Sequence, residues 1–149
     1  MIFTFIGINL IDKLGRKVLM YIGSIGYIIS LSLISLSFIL EWGGIALPFF
    51  LFLFIASHAI GQGAIIWVYI SEIFPNHIRS YGQSFGISTH WVLAAIIPSF
   101  VPFLFGFVGP GLVFAFFALM MVLQLIFTHF IMPETRGVSL EELAKKLIV

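Results

Sequence analysis

Cysteine is absent from the 149 residues, which rules out disulfides, a thiol nucleophile and any Cys-ligated zinc or iron–sulfur site. Charge is scarce as well. Asp, Glu, Lys and Arg make up 9% of the chain, against about 25% in soluble domains. With 61% hydrophobic residues and a mean hydropathy of +1.20, the chain has the bilayer rather than water as its natural solvent. Lys and Arg are also missing from two places where loops are expected. EWGG at 41–44 carries only Glu41, and GFVGPG at 106–111 carries no charge. All seven basic residues fall elsewhere: Lys13, Arg16 and Lys17; Arg79; and Arg136, Lys145 and Lys146. That alternation follows the positive-inside rule. It places 12–17, 71–80 and the C-terminal tail in the cytoplasm and the two Lys/Arg-free tips outside. The sequence holds no metal-ligand cluster, nucleophile–base set or phosphate loop, so no enzyme, cofactor or metal site is expected.

What is present is long apolar runs. Four transmembrane helices are expected, at 18–40, 45–70, 80–105 and 112–132. Met1–Ile11 is apolar but short of the roughly 20 residues a span needs. Its basic residues follow rather than precede it, unlike a signal peptide. Residues 1–11 therefore read as the end of a truncated helix, and the chain as a fragment. The first span carries Gly23, Gly26, Ser30 and Ser37 at helical spacing, a small-residue ridge that lets a neighbour approach closely. The third holds Pro98 and Pro102 in its outer half, which should bend or open it. The fourth is mostly Phe, Leu, Met and Val, with Gln124 and Thr128 on one face, and reads as scaffold. In the tail, 133–149, Ser139 can cap a short amphipathic helix with Leu140, Leu143 and Leu147 on one stripe.

Polar groups inside the spans are few and grouped. On the second span His58, Gln62 and Tyr69 share a face, beside a small face of Ser57, Gly61 and Ala64. Gln62 in hydrocarbon would leave donors and acceptors unmet, so it should meet a partner helix or water. Gly61 and Gly63 loosen the helix there, as interruptions at transporter substrate sites do. On the third span His90 and Trp91 are adjacent near mid-membrane. An imidazole beside an indole offers hydrogen bonds and an apolar plate, which suits sugar binding. It also suits helix–helix packing. At the span ends, Asp12, Arg16 and Lys17 (DKLGRK), Glu72 and Arg79 (EIFPNHIR), and Glu134 and Arg136 (PETRG) lie at one depth. They can pair across helices and hold one end of a bundle shut. The plainer reading is topological charge, with solvated pairs worth about 0–1 kcal/mol each.

Together these segments resemble the sugar porter family of the major facilitator superfamily. DKLGRK is similar to that family's D/E-x-x-G-R-R/K loop between helices 8 and 9. GQGAIIWVYISEIFPNHIR is similar to its helix-10 signature, G-x-G-P-x-x-W-x-x-x-x-E-I/L-F-P-x-x-x-R. His90-Trp91 falls where the family has Asn/Gln-Trp on helix 11, and PETRG matches P-E-T-K/R-G after helix 12. The resemblance implies an all-α polytopic transmembrane helix bundle, the C-terminal portion of a 12-helix fold from the end of helix 8 onward. It implies that Trp67 and Trp91 contact a sugar, with His90 as the neighbouring polar contact. It implies that Asp12, Arg16, Glu72, Arg79 and Glu134, joined by Arg136, form a cytoplasmic charge network that steadies the outward-facing state. Four positions depart from the pattern. Ala64 and Ile66 stand where prolines are frequent, Ala59 where glucose facilitators carry a Glu, and His90 where the family has an amide.

The expected function is membrane transport of a sugar or polyol by alternating access, with or without proton coupling. Gln62, Trp67, His90 and Trp91 are the candidate substrate contacts, and Gly61 and Gly63 the candidate hinge. The expected partners are the small-molecule solute, membrane lipid and the N-terminal half of the transporter, with no nucleic acid. The competing expectations are a major facilitator for another solute, such as an organic acid, a four-span structural subunit and a membrane-embedded enzyme.

Overall fold

The computed structural model describes residues 2–42 and 44–138. Six helices follow one another: α1 (Ile2–Leu14), α2 (Arg16–Ile39), α3 (Ala46–Ile60), α4 (Gln62–Ile73), α5 (Arg79–Val108) and α6 (Pro110–Phe130). The fold is all-α. Four segments are long and apolar enough to cross a membrane: Arg16–Ile39, Ala46–Ile73, Arg79–Val108 and Pro110–Phe130. The second of these contains both α3 and α4. The expected amphipathic helix of the tail lies outside the described residues.

The connections are tighter than the sequence suggests. DKLGRK, expected as a loop over 12–17, is helical except at Gly15, where φ is 92° and ψ 161°. GFVGPG contracts to Gly109 at φ 81°, with Pro110 opening α6. Proline suits a first helical position because its missing N–H would be unpaired there anyway. Pro98 and Pro102 lie inside α5 without ending it.

The span formed by α3 and α4 is interrupted at Gly61, whose φ of −94° and ψ of −111° are not helical. Gly61 N still donates to Ser57 O at 3.0 Å, and Gly61 O accepts from Ile65 N at 3.3 Å. The interruption lies against α2. A Cβ added to Gly61 would sit 2.6 Å from Gly23 Cα, so the two backbones touch, and neither position has room for a side chain. Helix packing without a water-driven hydrophobic term depends on such close approach.

α2 is the centre of the bundle, packed along α6 on one side and α3 on the other. Leu19 and Ile34 on α2, Ile65 on α4 and Thr128 on α6 are fully enclosed. One apolar cluster joins Ile11, Leu19, Met20, Ile65 and Met132; another joins Tyr27, Leu31 and Ala118. Two serines of α2 bond back onto their own helix, while Ser35 Oγ crosses to Gly111 O on α6 at 2.7 Å. Ser30 Oγ donates to Gly26 O at 2.8 Å and Ser37 Oγ to Leu33 O at 2.9 Å. α5 is peripheral: it packs only on α4 and α6, and none of its residues is buried.

Candidate functional site

Helices α2 to α6 line a cavity of about 680 Å³. Most of the wall is apolar. Its polar groups are Tyr27 from α2, His58 from α3, Gln62 from α4, His90 from α5 and Gln124 from α6. No Lys, Arg, Asp or Glu lines it among the described residues.

Three of the four expected substrate contacts come together where α4 meets α5. The Trp67 and Trp91 rings stack with centroids 6.4 Å apart and planes 27° apart. His90 stands edge-on to Trp67 at 4.9 Å and to Trp91 at 5.5 Å. Trp67 and His90 line the cavity, while Trp91 is 62% exposed and lies outside its lining. The fourth, Gln62, is buried in the wall and turned toward α2. Its Nε2 donates to Ser24 Oγ at 3.1 Å, and its Oε1 has no partner.

Both candidate hinge glycines sit at the helix interruption. Gly61 is the interruption itself, and Gly63 lies in the first turn of α4. A Cβ on Gly63 would come within 2.8 Å of His58 Nε2. Across the cavity, Tyr27 Oη is hydrogen-bonded to His58 Nδ1. Tyr27 and Gln124 were not anticipated as lining residues. The signal for Tyr27 was its position between the small residues Gly23, Gly26 and Ser30 on the buried face of α2.

At the charged end, part of the expected network forms. Arg16 grips Glu72 with two bonds, Nε to Oε2 at 3.1 Å and Nη2 to Oε1 at 2.7 Å. Arg16 Nη1 also reaches Asp12 Oδ1 at 3.4 Å, but the Asp12 side chain is 87% exposed. Thr135 Oγ1 donates to Glu72 Oε2 at 2.6 Å. Glu134 joins differently. Its Oε1 and Oε2 accept the backbone amides of Arg16 and Lys17, both at 3.0 Å. A carboxylate at that point satisfies unpaired N–H groups and complements the positive end of the helix dipole. Gly15 makes this possible, because a Cβ there would lie 2.6 Å from Glu134 Oε2.

Arg79 and Arg136 depart from the expectation and make no ion pair among the described residues. Arg79 lies beyond the Phe74–Pro75 turn and folds back, its Nε donating to Phe74 O at 3.3 Å. Arg136 contributes its backbone amide to Glu134 Oε1 at 3.0 Å and leaves its side chain exposed.

Comparison with known proteins follows the same lines. The sequence matches the family described as Sugar (and other) transporter over residues 1–147. It is 42% identical over 147 residues to the arabinose-proton symporter of Bacillus subtilis (strain 168), covering 97% of this chain and 31% of that protein. It is 34% identical over 146 residues to a probable quinate permease of Aspergillus oryzae (strain ATCC 42149 / RIB 40), covering 90% and 27%. The helices superpose on the inward open xylose transporter XylE from E. coli with a TM-score of 0.90 at 30% identity, covering 97% of this chain and 33% of that one. The proton:xylose symporter XylE bound to 6-bromo-6-deoxy-D-glucose gives 0.88 at 30% identity, covering 97% and 32%. The chain thus spans about a third of the length of the relatives it matches.

Proposed function

The chain belongs to the family of sugar (and other) transporters, and from that membership we propose that it serves a carrier of the cell (inner) membrane that moves a sugar or polyol by alternating access. The observation that carries this reading is the Trp67–His90–Trp91 cluster at the cavity. Indole faces can cover the C–H face of a sugar ring while an imidazole N–H meets a hydroxyl. Gln62 lies in the same wall, with its amide turned toward α2. The names of two similar proteins, an arabinose-proton symporter and a proton:xylose symporter, favour proton coupling. A quinate permease is also similar, but a carboxylate solute calls for a fixed cation, and the described cavity wall offers no Lys or Arg.

The Arg16–Glu72 pair serves in this reading as a clasp at the cytoplasmic end, with the C-terminus on that side. α4 carries Glu72 at one end and adjoins Gly61 at the other. A swing of α4 about Gly61 and Gly63 would draw Glu72 away from Arg16 and release Thr135 with it. Asp12 and Glu134 steady Arg16 and the start of α2 through that motion, while Arg79 and Arg136 supply positive charge at the rim.

The test is uptake by the complete transporter, reconstituted in vesicles and offered arabinose, xylose, myo-inositol and quinate in turn. Uptake of at least one of the three neutral solutes is expected. Uptake of quinate with none of them overturns the assignment.

A further inference from the structure

A polar cluster at the α2–α6 seam takes no part in the cavity or the clasp. Lys17 Nζ donates to the backbone carbonyl of His129 at 2.9 Å. Tyr21 Oη meets His129 Nδ1 at 2.9 Å, and the two rings cross edge-on at 6.2 Å. With Tyr21 donating, a neutral His129 ring carries its hydrogen on Nε2, and a protonated ring carries one there too. His129 is exposed, so this N–H is open to the surroundings.

Lys17 makes no ion pair among the described residues. Among the described residues both ion pairs belong to Arg16. Glu134 accepts the backbone amide of Lys17 rather than its ammonium. One carbonyl contact leaves two of the three ammonium donors unused.

Lys17 lies at the start of the Arg16–Ile39 span and His129 near the end of Pro110–Phe130, so the cluster sits at a membrane boundary. One turn deeper the seam becomes apolar and exposed. Ile25, four residues beyond Tyr21, and Ile126, three before His129, are both 48% exposed. Cationic and N–H donors set above an apolar strip match a ligand with an anionic head and a hydrocarbon tail. Lysine stems of this kind reach the headgroup level while their carbons stay in the apolar layer.

We propose that Lys17, Tyr21 and His129 form a binding site for the phosphate of an anionic phospholipid at the α2–α6 seam. Lys17 and His129 donate to the phosphate oxygens, and Tyr21 orients the imidazole. The site requires a membrane-spanning chain and no particular transported solute, so it stands or falls apart from the transport reading.

Native mass spectrometry of the purified chain, released from micelles doped with equal phosphatidylglycerol and phosphatidylcholine, tests it. Phosphatidylglycerol should be retained over phosphatidylcholine, and Lys17→Gln should cut that preference about fivefold, the weight of one basic side chain at an anionic surface. Lys17→Arg should keep it, and Tyr21→Phe should lower it with the charge unchanged. Equal retention of the two lipids by the native chain overturns the proposal, whatever the variants do. So does a preference that survives the Lys17→Gln/His129→Gln pair. Complete displacement of the lipid by millimolar inorganic phosphate replaces the lipid site with a free-anion site.

Discussion

Arg16 holds Glu72 through two parallel bonds of 3.1 and 2.7 Å, joining the first turn of α2 to the last turn of α4. The paired geometry fits the guanidinium fork to a carboxylate. Only 11% of the Arg16 side chain and 22% of the Glu72 side chain are exposed, so water screens the pair less than at an open surface.

Replacing Glu72 with Gln keeps the shape and removes the charge. The expected cost is about 1.5–3 kcal/mol, the range for hydrogen bonds to charged groups, read as a lower unfolding midpoint in detergent. In the complete transporter the same variant should shift the population toward inward-facing states. The cysteine-free background of these residues lets single introduced cysteines report accessibility on each side. Identical labelling of native and variant proteins would refute the clasp.

Gly15→Ala attacks the other half of the same end. A φ of 92° with ψ 161° belongs to a region that is essentially glycine's own, and a side chain there costs about 1–3 kcal/mol. The new methyl would also displace the Glu134 carboxylate from the amides of Arg16 and Lys17. Glu134→Gln, which removes charge without adding bulk, should cost less, about 0.3–1 kcal/mol. Thermal melts of the two variants should therefore rank Gly15→Ala as the less stable. The reverse order would show that the cap matters more than the backbone conformation.

Trp67→Ala removes the indole that both lines the cavity and stacks on Trp91. Apparent sugar affinity in the complete transporter should fall about threefold to tenfold, the range of an aromatic contact. Uptake measured at matched expression checks this. Unchanged uptake of every carried sugar would remove Trp67 from the site.

Ser24→Ala and Gln62→Leu separate packing from recognition. Ser24→Ala strands the whole Gln62 amide, whereas Gln62→Leu removes the polar group that needs a partner. Ser24→Ala should be the more destabilising, by about 0.6–2 kcal/mol, as interhelical hydrogen bonds in membranes are. If Gln62 also meets the solute, Gln62→Leu should lose transport while remaining well folded. Full transport by Gln62→Leu would leave Gln62 as a packing residue only.

The spans were legible because each apolar run has the length the bilayer demands, and the end motifs marked which charges share a depth. Trp67 and His90 were legible because large polar-edged rings inside a span need a reason to be there. Glu134 was harder to read. Its oxygens serve backbone amides on a helix far away in sequence, and backbone donors leave no pattern in side-chain identity. Arg79 departs the other way: a motif charge whose Nε donates to the carbonyl of Phe74 rather than to a carboxylate. The Gly61 interruption was foreshadowed by its glycines, but the backbone contact with Gly23 on which it sits is displayed only by the packed structure.

The cap on α2 also bears on the order of biosynthesis. Glu134 completes a helix start that lies 118 residues earlier in the chain. At about 5–20 residues per second, the ribosome needs roughly 6 to 24 seconds to make that interval. α2 must enter the membrane with its first amides met by water or lipid headgroups. The cap closes only after α6 has followed, so a ribosome stalled before Glu134 would leave the helices inserted, Arg16 able to reach Glu72, and the start of α2 uncapped.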